Sequence, residues 1–249
     1  MGIKDLFSSS ARSKKKLDRW IRTATNPYAQ SADRYHAMQQ LLDDGSEDAL
    51  VGVFKRFTIA STKSIEDEEE KGWAYRKLSA LGPKVLPAAK RFCIEDEPSI
   101  EGRKANIAWA LRIVEDVADA DQEWDILEAL LERFPPEYTT DPTPKQQMLT
   151  HLAEIDDPRV VAILARYLDD PDENIRYQVI EALFDIGDEG AKDALIGRLL
   201  HPDEDSVRLK TRILEGLAEA GWDVSDRAEA LAPHLGHEHA LSGGKVVRR

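Results

Sequence analysis

The chain has 249 residues and a formal charge of -13, with 42% apolar, 33% charged and only 7% aromatic residues. No apolar run approaches the ~20 residues needed to span a bilayer, and a single cysteine, Cys93, excludes an internal disulfide framework. Divided along the chain, the charge is +5 over residues 1–24 and +3 over the last nine, so the body between them carries -21. Such a body repels phosphate backbones, which counts against general nucleic-acid binding.

The N-terminal segment, residues 1–30, is basic. Ile3, Leu6 and Phe7 stand isolated between polar residues, so no secretory leader is expected and a reducing cytoplasm is the expected compartment. Leu17, Trp20 and Ile21 fall on one helical face among Lys14, Lys15, Lys16, Arg19 and Arg22, which predicts a short basic amphipathic helix. An open end of a repeat array needs covering, so this helix is expected to cap the first repeat. Docking to a protein partner is the alternative. Membrane-surface contact is less favoured, because MGIKDL lacks the Ser or Thr that a myristoylation signal carries at position six.

From residue 31 to 236 a pattern recurs. FKRF, AKRF, LERF, LARY and IGRL place Arg56, Arg91, Arg133, Arg166 and Arg198 at intervals of 35, 42, 33 and 32 residues. Three and two residues before each arginine the chain is always apolar, as with Val53 and Phe54 or Leu195 and Ile196, and the residue after it is aromatic or Leu. At ~100° per residue these positions share one helical face, with the arginine beside it. A sixth unit, LAPHL, puts His234 in the arginine's place.

Upstream of each of these B helices lies an A helix that ends in a turn. IEALFDIG, LEGLAEAG, LTHLAEID and YRKLSALG superpose without gaps, and Gly187, Gly221 and Gly82 sit where a left-handed residue closes a helix. DDPDE offers Asp170 as N-cap before Pro171, and TPKQ offers Thr143 before Pro144. The predicted units are 31–57, 71–93, 103–134, 144–168, 172–200 and 205–236. One helix pair cannot bury its apolar face alone, so neighbours must stack into an α-solenoid. Residues 237–249 are expected to be a flexible tail.

A unit such as DDPDENIRYQVIEALFDIGDEGAKDALIGRLL, with its D-P turn, the Ile-Arg that places Arg176 early in the A helix and the Gly between helices, resembles bacterial HEAT repeats, and in particular the phycobilisome-lyase-like HEAT group. The resemblance covers 144–221, and Arg208 in SVRLKTRILEGLAEAG is matched to Arg176. It implies an all-α fold: an α-solenoid of about six HEAT-like helix-turn-helix repeats, preceded by the short basic N-terminal helix. It also implies that the repeated arginine pairs with acidic residues of an adjacent turn, for which Asp156, Asp157 and Asp169 are the nearest carboxylates to Arg133 and Arg166.

The competing reading of the arginine column is an anion-binding track, locally richest at Lys55-Arg56 and Lys90-Arg91. His234, His237 and His239 in HLGHEH lack a helical HExxH or a cysteine partner and read as incidental surface histidines. The acidic clusters Glu66–Glu70 and Asp116–Asp125 read as solvated loops. Cys93 reads as buried filler, and the tryptophans as core, with Trp73 and Trp222 the most exposed. There is no nucleophile–base pair, Gly-rich phosphate loop or zinc framework in the sequence, so no enzymatic activity and no cofactor are expected. The leading reading is a protein–protein interaction scaffold with an unidentified protein partner. The alternatives are a lyase-like catalytic HEAT protein and an anion or nucleic-acid binder.

Overall fold

The computed structural model describes the backbone of residues 3–95 and 106–249, and the side chains of residues 13–95 and 106–249. The side chains of Ile3, Leu6 and Phe7, and the start of the third repeat expected at 103, lie outside the described residues. The chain divides into two compact units, Met1–Arg133 and Phe134–Arg249.

Among the described residues, the N-terminal unit holds helix α1 (Ile3–Ala24) and three helical hairpins: α2 (Ser31–Asp44) with α3 (Glu47–Phe54), α4 (Ser64–Ser79) with α5 (Leu86–Ile94), and α6 (Ala108–Val117) with α7 (Ala120–Arg133). The C-terminal unit holds three more: α8 (Thr143–Ala153) with α9 (Arg159–Arg166), α10 (Glu173–Ile186) with α11 (Lys192–Leu200), and α12 (Val207–Ala220) with the short α13 (Ala228–Leu231). The fold is all-α in the expected HEAT-like repeats. Among the described residues no helix is long and apolar enough to cross a membrane.

Local chemistry sets the ends of these helices. Ser46, Asp172 and Ser206 accept backbone N–H groups of the first turn of α3, α10 and α12. Gly187 and Gly221 close α10 and α12 at φ 71° and 63°, a region that a side chain disfavours. Two expected caps are corrected. Pro142 precedes α8, which begins at Thr143. Asp170 is not the cap of α10, because its carboxylate is buried and bonded to Lys145 Nζ and to the backbone N–H of Asp172. The second A helix also begins at Ser64 rather than 71, which draws Glu66–Glu70 into α4 instead of a loop. Asp116 closes α6 and Asp121, Glu123 and Asp125 lie in α7, so the second acidic cluster is largely helical too.

The core follows the B-helix periodicity. Val53, Phe54, Phe57, Ala88, Ala89, Phe92, Leu195, Ile196 and Leu199 are all buried, as are Leu130, Leu164 and Tyr167. Leu131, Phe134 and Ile163 are only half-buried. The A helices pack side by side, α2 on α4, α4 on α6, α8 on α10 and α10 on α12. Aromatic pairs close most of these seams: Tyr35 against Trp73 at 5.3 Å, Tyr75 against Trp109 at 5.8 Å and Phe184 against Trp222 at 5.6 Å between ring centres. Among the tryptophans Trp124 is buried and Trp20, Trp73, Trp109 and Trp222 are half-buried.

Both ends are packed, the N-terminal helix where a cap was expected and the C-terminal residues where a flexible tail was expected. Helix α1, longer than the short helix expected, lies against α2 and α3. Leu17, Trp20 and Ile21 are half-buried, and Trp20 meets His36 edge-on at 5.2 Å with the Arg19 guanidinium 4.4 Å from its own ring. Gly52 permits the close approach: a Cβ there would stand 2.5 Å from Ile21 Cγ1. At the other end, the expected flexible tail is a β-hairpin of β1 (His239–Ser242) and β2 (Lys245–Arg248), antiparallel, with His239 opposite Arg248. Gly243 and Gly244 turn it with φ 57° and 78°, the sign that a two-residue hairpin turn requires. Strand β2 lies on α12, where Val246 is buried, Arg248 reaches Glu219 at 3.0 Å and Gly244 accepts from the backbone N–H of Val224 at 2.7 Å.

If α1 is a structural cap, Gly52→Ala should lower the unfolding free energy by about 1–3 kcal/mol through overpacking. Ile21→Ala introduced into the same chain should recover part of that loss, and a urea melt of the two single variants and the double reads the coupling. Additive losses would place Ile21 away from Gly52. Trp20→Ala should also destabilise, at the lower end of aromatic truncations. Its indole Nε1 is buried without a hydrogen-bond partner among the described residues, so truncation also removes an unsatisfied donor.

Candidate functional site

The column of repeated arginines is where sequence placed the candidate chemistry, and the structure shows what each does. Arg56, at the end of the first B helix, is fully buried. Its Nη2 lies 2.6 Å from Asp67 and 3.0 Å from Glu70, and its Nη1 donates to the backbone oxygen of Ile59. Both carboxylates come from α4, the A helix of the next repeat. Glu70 is shared with a second buried cation, Arg34 of α2, which donates from Nε at 2.8 Å and from Nη2 at 2.7 Å. Ser31 Oγ donates to the same carboxylate at 2.7 Å, and the remaining Arg34 donor reaches the Ala29 carbonyl. Asp67 in turn holds Lys71 Nζ at 2.6 Å and accepts from the backbone N–H of Ser61. Every charge in this group has an opposite charge at hydrogen-bonding distance, which is what makes its burial tolerable.

The same arrangement recurs in the C-terminal unit. Arg198, from B helix α11, and Arg176, from A helix α10, both donate to Glu204 Oε2, at 2.7 and 3.1 Å. Glu204 is buried in the turn that leads to the next A helix. Arg198 also reaches Asp169 at 3.2 Å. One repeat earlier the pair is reduced to Lys145 and Asp170, buried and 2.6 Å apart. The motif is therefore one carboxylate of the following repeat holding a cation of the preceding A helix, with the B-helix arginine joining in two cases.

Sequence reasoning assigned the chemistry to the B-helix arginines; of the A-helix cations it noted Arg176 only as a mark of the repeat and gave none of them a partner. A signal was present: counting back eleven residues from the turn positions 45, 82, 156, 187 and 221 gives Arg34, Lys71, Lys145, Arg176 and Lys210, a basic residue every time. The same count corrects the match of Arg208 to Arg176. Arg208 aligns with Asn174, to which its Nη1 donates at 3.4 Å, and its guanidinium lies 3.7 Å from the Tyr177 ring centre on the surface.

The other candidates are more exposed. Arg91 spans Glu95, at 2.6 Å, and both Glu47 and Asp48 of α3, at 3.0 and 2.8 Å. Lys55 faces Glu95 at 3.7 Å, and Lys90 meets Asp125 at 2.7 Å. Arg133 and Arg166 are exposed, and Arg166 has no ion-pair partner among the described residues. Two of the three expected acceptors are engaged elsewhere, Asp157 by Arg159 at 2.8 Å and Asp169 by Arg198. At Arg166 the ladder expectation is thus corrected: Asp170, four residues on, is already taken by Lys145. Nor do the arginines line a free anion track, since Arg56 and Arg198 are buried against carboxylates. Lys14, Lys15 and Lys16 are exposed on α1. His234 and His237 are exposed and His239 is buried in β1, so the three do not converge.

The electrostatics follow from the packing. Burial pushes the Glu70 carboxyl up, but the hydrogen bonds from Arg34 and Ser31 and the Arg56 charge outweigh it and hold Glu70 below its ordinary value of 4.5. Asp67 is likewise lowered from 3.8, with Lys71, Ser61 and Arg56 overcoming its desolvation, and Glu204 is lowered from 4.5 by Ser206, Arg198 and Arg176 against the same penalty. Burial alone drives the Cys93 thiol up to about 12, which makes it inert filler as expected.

Residues 127–218 match the family model of HEAT repeats. No curated protein matches the chain.

Arg56→Met keeps the apolar stem but leaves Asp67 and Glu70 short of a cation, so a loss of about 3 kcal/mol or more is expected in a chemical melt. Arg166→Met should change stability by less than ~0.5 kcal/mol. Equal effects at the two sites would refute the assignment of the buried network. Because Asp67, Glu70 and Glu204 titrate lower in the folded chain, their contribution is present above their ordinary values and is lost as the pH falls through the lowered ones. The melting temperature should therefore drop on acidification below about pH 4. A Glu70→Gln chain, already weakened at neutral pH, should show a shallower acid limb.

Proposed function

We propose that the chain is a non-catalytic scaffold or adaptor that holds a protein partner on its helical-repeat surface in the cytoplasm. The observation that carries this reading is the repeat itself. Residues 127–218 match HEAT repeats, which commonly serve as interaction scaffolds, and the buried charged groups are spent within the stack. Buried Arg34, Arg56, Lys145 and Arg198 each have carboxylate partners. A ligand would need to break those pairs to use them, at a cost of several kcal/mol. The outer helical faces are left as the surface for recognition. The phycobilisome-lyase-like subgroup rests on the sequence resemblance of 144–221 and adds no activity to this reading.

The test is affinity capture from native lysate with the full chain, followed by mass spectrometry, together with an absorbance spectrum and metal analysis of the purified protein. A partner retained in stoichiometric amount is the expected result. Capture of nothing specific, or a stoichiometric bound pigment or metal, would overturn the non-catalytic scaffold reading.

A further inference from the structure

The seam between α8 and α10 differs from its neighbours. Where other A-helix seams are closed by aromatic pairs, this one presents Thr150 and Ala153 on α8 and Gln178 and Ala182 on α10, and a groove of about 430 Å³ stays open. Its floor is apolar: Leu149 is buried below, Ala153 and Ala182 are half-buried, and Ile186 is one of the chain's few exposed large aliphatic residues, at 37%. Gln178 closes one end by donating to the Gln146 carbonyl and to Thr150 Oγ1, both at 2.9 Å. Around the apolar strip stand Glu154, Glu181 and Asp185. No cation lines the groove, although Arg212 reaches Glu181 from α12.

We infer that this groove receives a basic segment of a partner protein, seating one apolar, preferably aromatic, side chain between Ala153 and Ala182 with Lys or Arg beside it. The shape argument comes from the neighbouring seam, where Phe184 and Trp222 fill the space that alanine leaves open here. The charge argument comes from the rim, and from the C-terminal unit as a whole, which carries 23 acidic against 13 basic residues over 134–249. A cationic segment is therefore drawn toward this unit and then held at the rim, while the apolar anchor supplies the buried contact. An acidic or purely polar segment gains neither term. The inference rests on the scaffold reading and names the partner chemistry and the face that binds it.

The probe is a labelled synthetic peptide of residues 11–24, ARSKKKLDRWIRTA, which carries Leu17, Trp20 and Ile21 among six Lys and Arg side chains, titrated into the full chain by fluorescence anisotropy. Saturable binding that weakens with added salt is expected. It should fall at least tenfold for Ala182→Arg, which fills the groove, and for the double change Glu154→Lys with Asp185→Lys, which alters only exposed positions. A peptide with Ser in place of Leu17, Trp20 and Ile21 should bind at least tenfold more weakly. Undiminished binding to a folded double variant would overturn the assignment, as would equal affinity for the serine peptide or no binding at all. Wild-type dimers that Ala182→Arg dissociates in light scattering would also overturn it, by giving the groove to a second copy. A lysate partner captured equally by wild type and both variants would remove the groove and leave the scaffold reading standing. Capture of no partner, with the peptide result intact, would do the reverse.

Discussion

A carboxylate buried between two cations of the preceding repeat is the constraint around which this chain is organised. Glu70 between Arg34 and Arg56, and Glu204 between Arg176 and Arg198, occupy corresponding places in the two units. Apolar faces of stacked helices can slide, because burial is non-directional. A guanidinium fork bonded to a fixed carboxylate cannot slide without losing directed hydrogen bonds in a place where water does not replace them. The pairs therefore set the register between one repeat and the next.

That role explains where the chain departs from its own pattern. The B-helix arginine is buried only where the following repeat offers a carboxylate within reach. At Arg166 the nearby Asp170 is committed to Lys145, and the arginine lies on the surface instead. In the sixth repeat the A helix carries Lys210 and Arg212, and Arg212 turns back to Glu181 of the repeat before it. The end is closed by a hairpin, which satisfies its own backbone groups and lays Val246 against α12. At the other end, α1 performs the equivalent covering of α2 and α3 with Leu17, Trp20 and Ile21.

The exposed chemistry has a different logic. Aromatic rings fill the seams between most A helices, which shields the core and stiffens the layer. Small residues at one seam leave a groove in the unit with the larger net negative charge. Recognition there needs no rearrangement of the buried pairs, so a surface can change its partner without changing the stack.

The sequence by itself determined the helices, their pairing into six repeats and the buried B-helix face, because those depend on local turn chemistry and on a periodicity visible within ~30 residues. The Gly243-Gly244 pair is itself a hairpin-turn signal, but the runs beside it, HALS and KVVR, do not alternate and read as a tail. Burial of Cys93 followed from its apolar flanks. Which carboxylate meets which arginine was not legible: Glu70 is 36 residues from Arg34 and 14 from Arg56, and in sequence it is one of five consecutive acidic residues. Only the stacked structure, by placing α4 against α2, turns Asp67 and Glu70 inward and leaves Glu68 and Glu69 in solvent. The open seam at Ala153 and Ala182 is likewise a tertiary fact, since a small residue becomes a groove only when its neighbour across the seam is small as well.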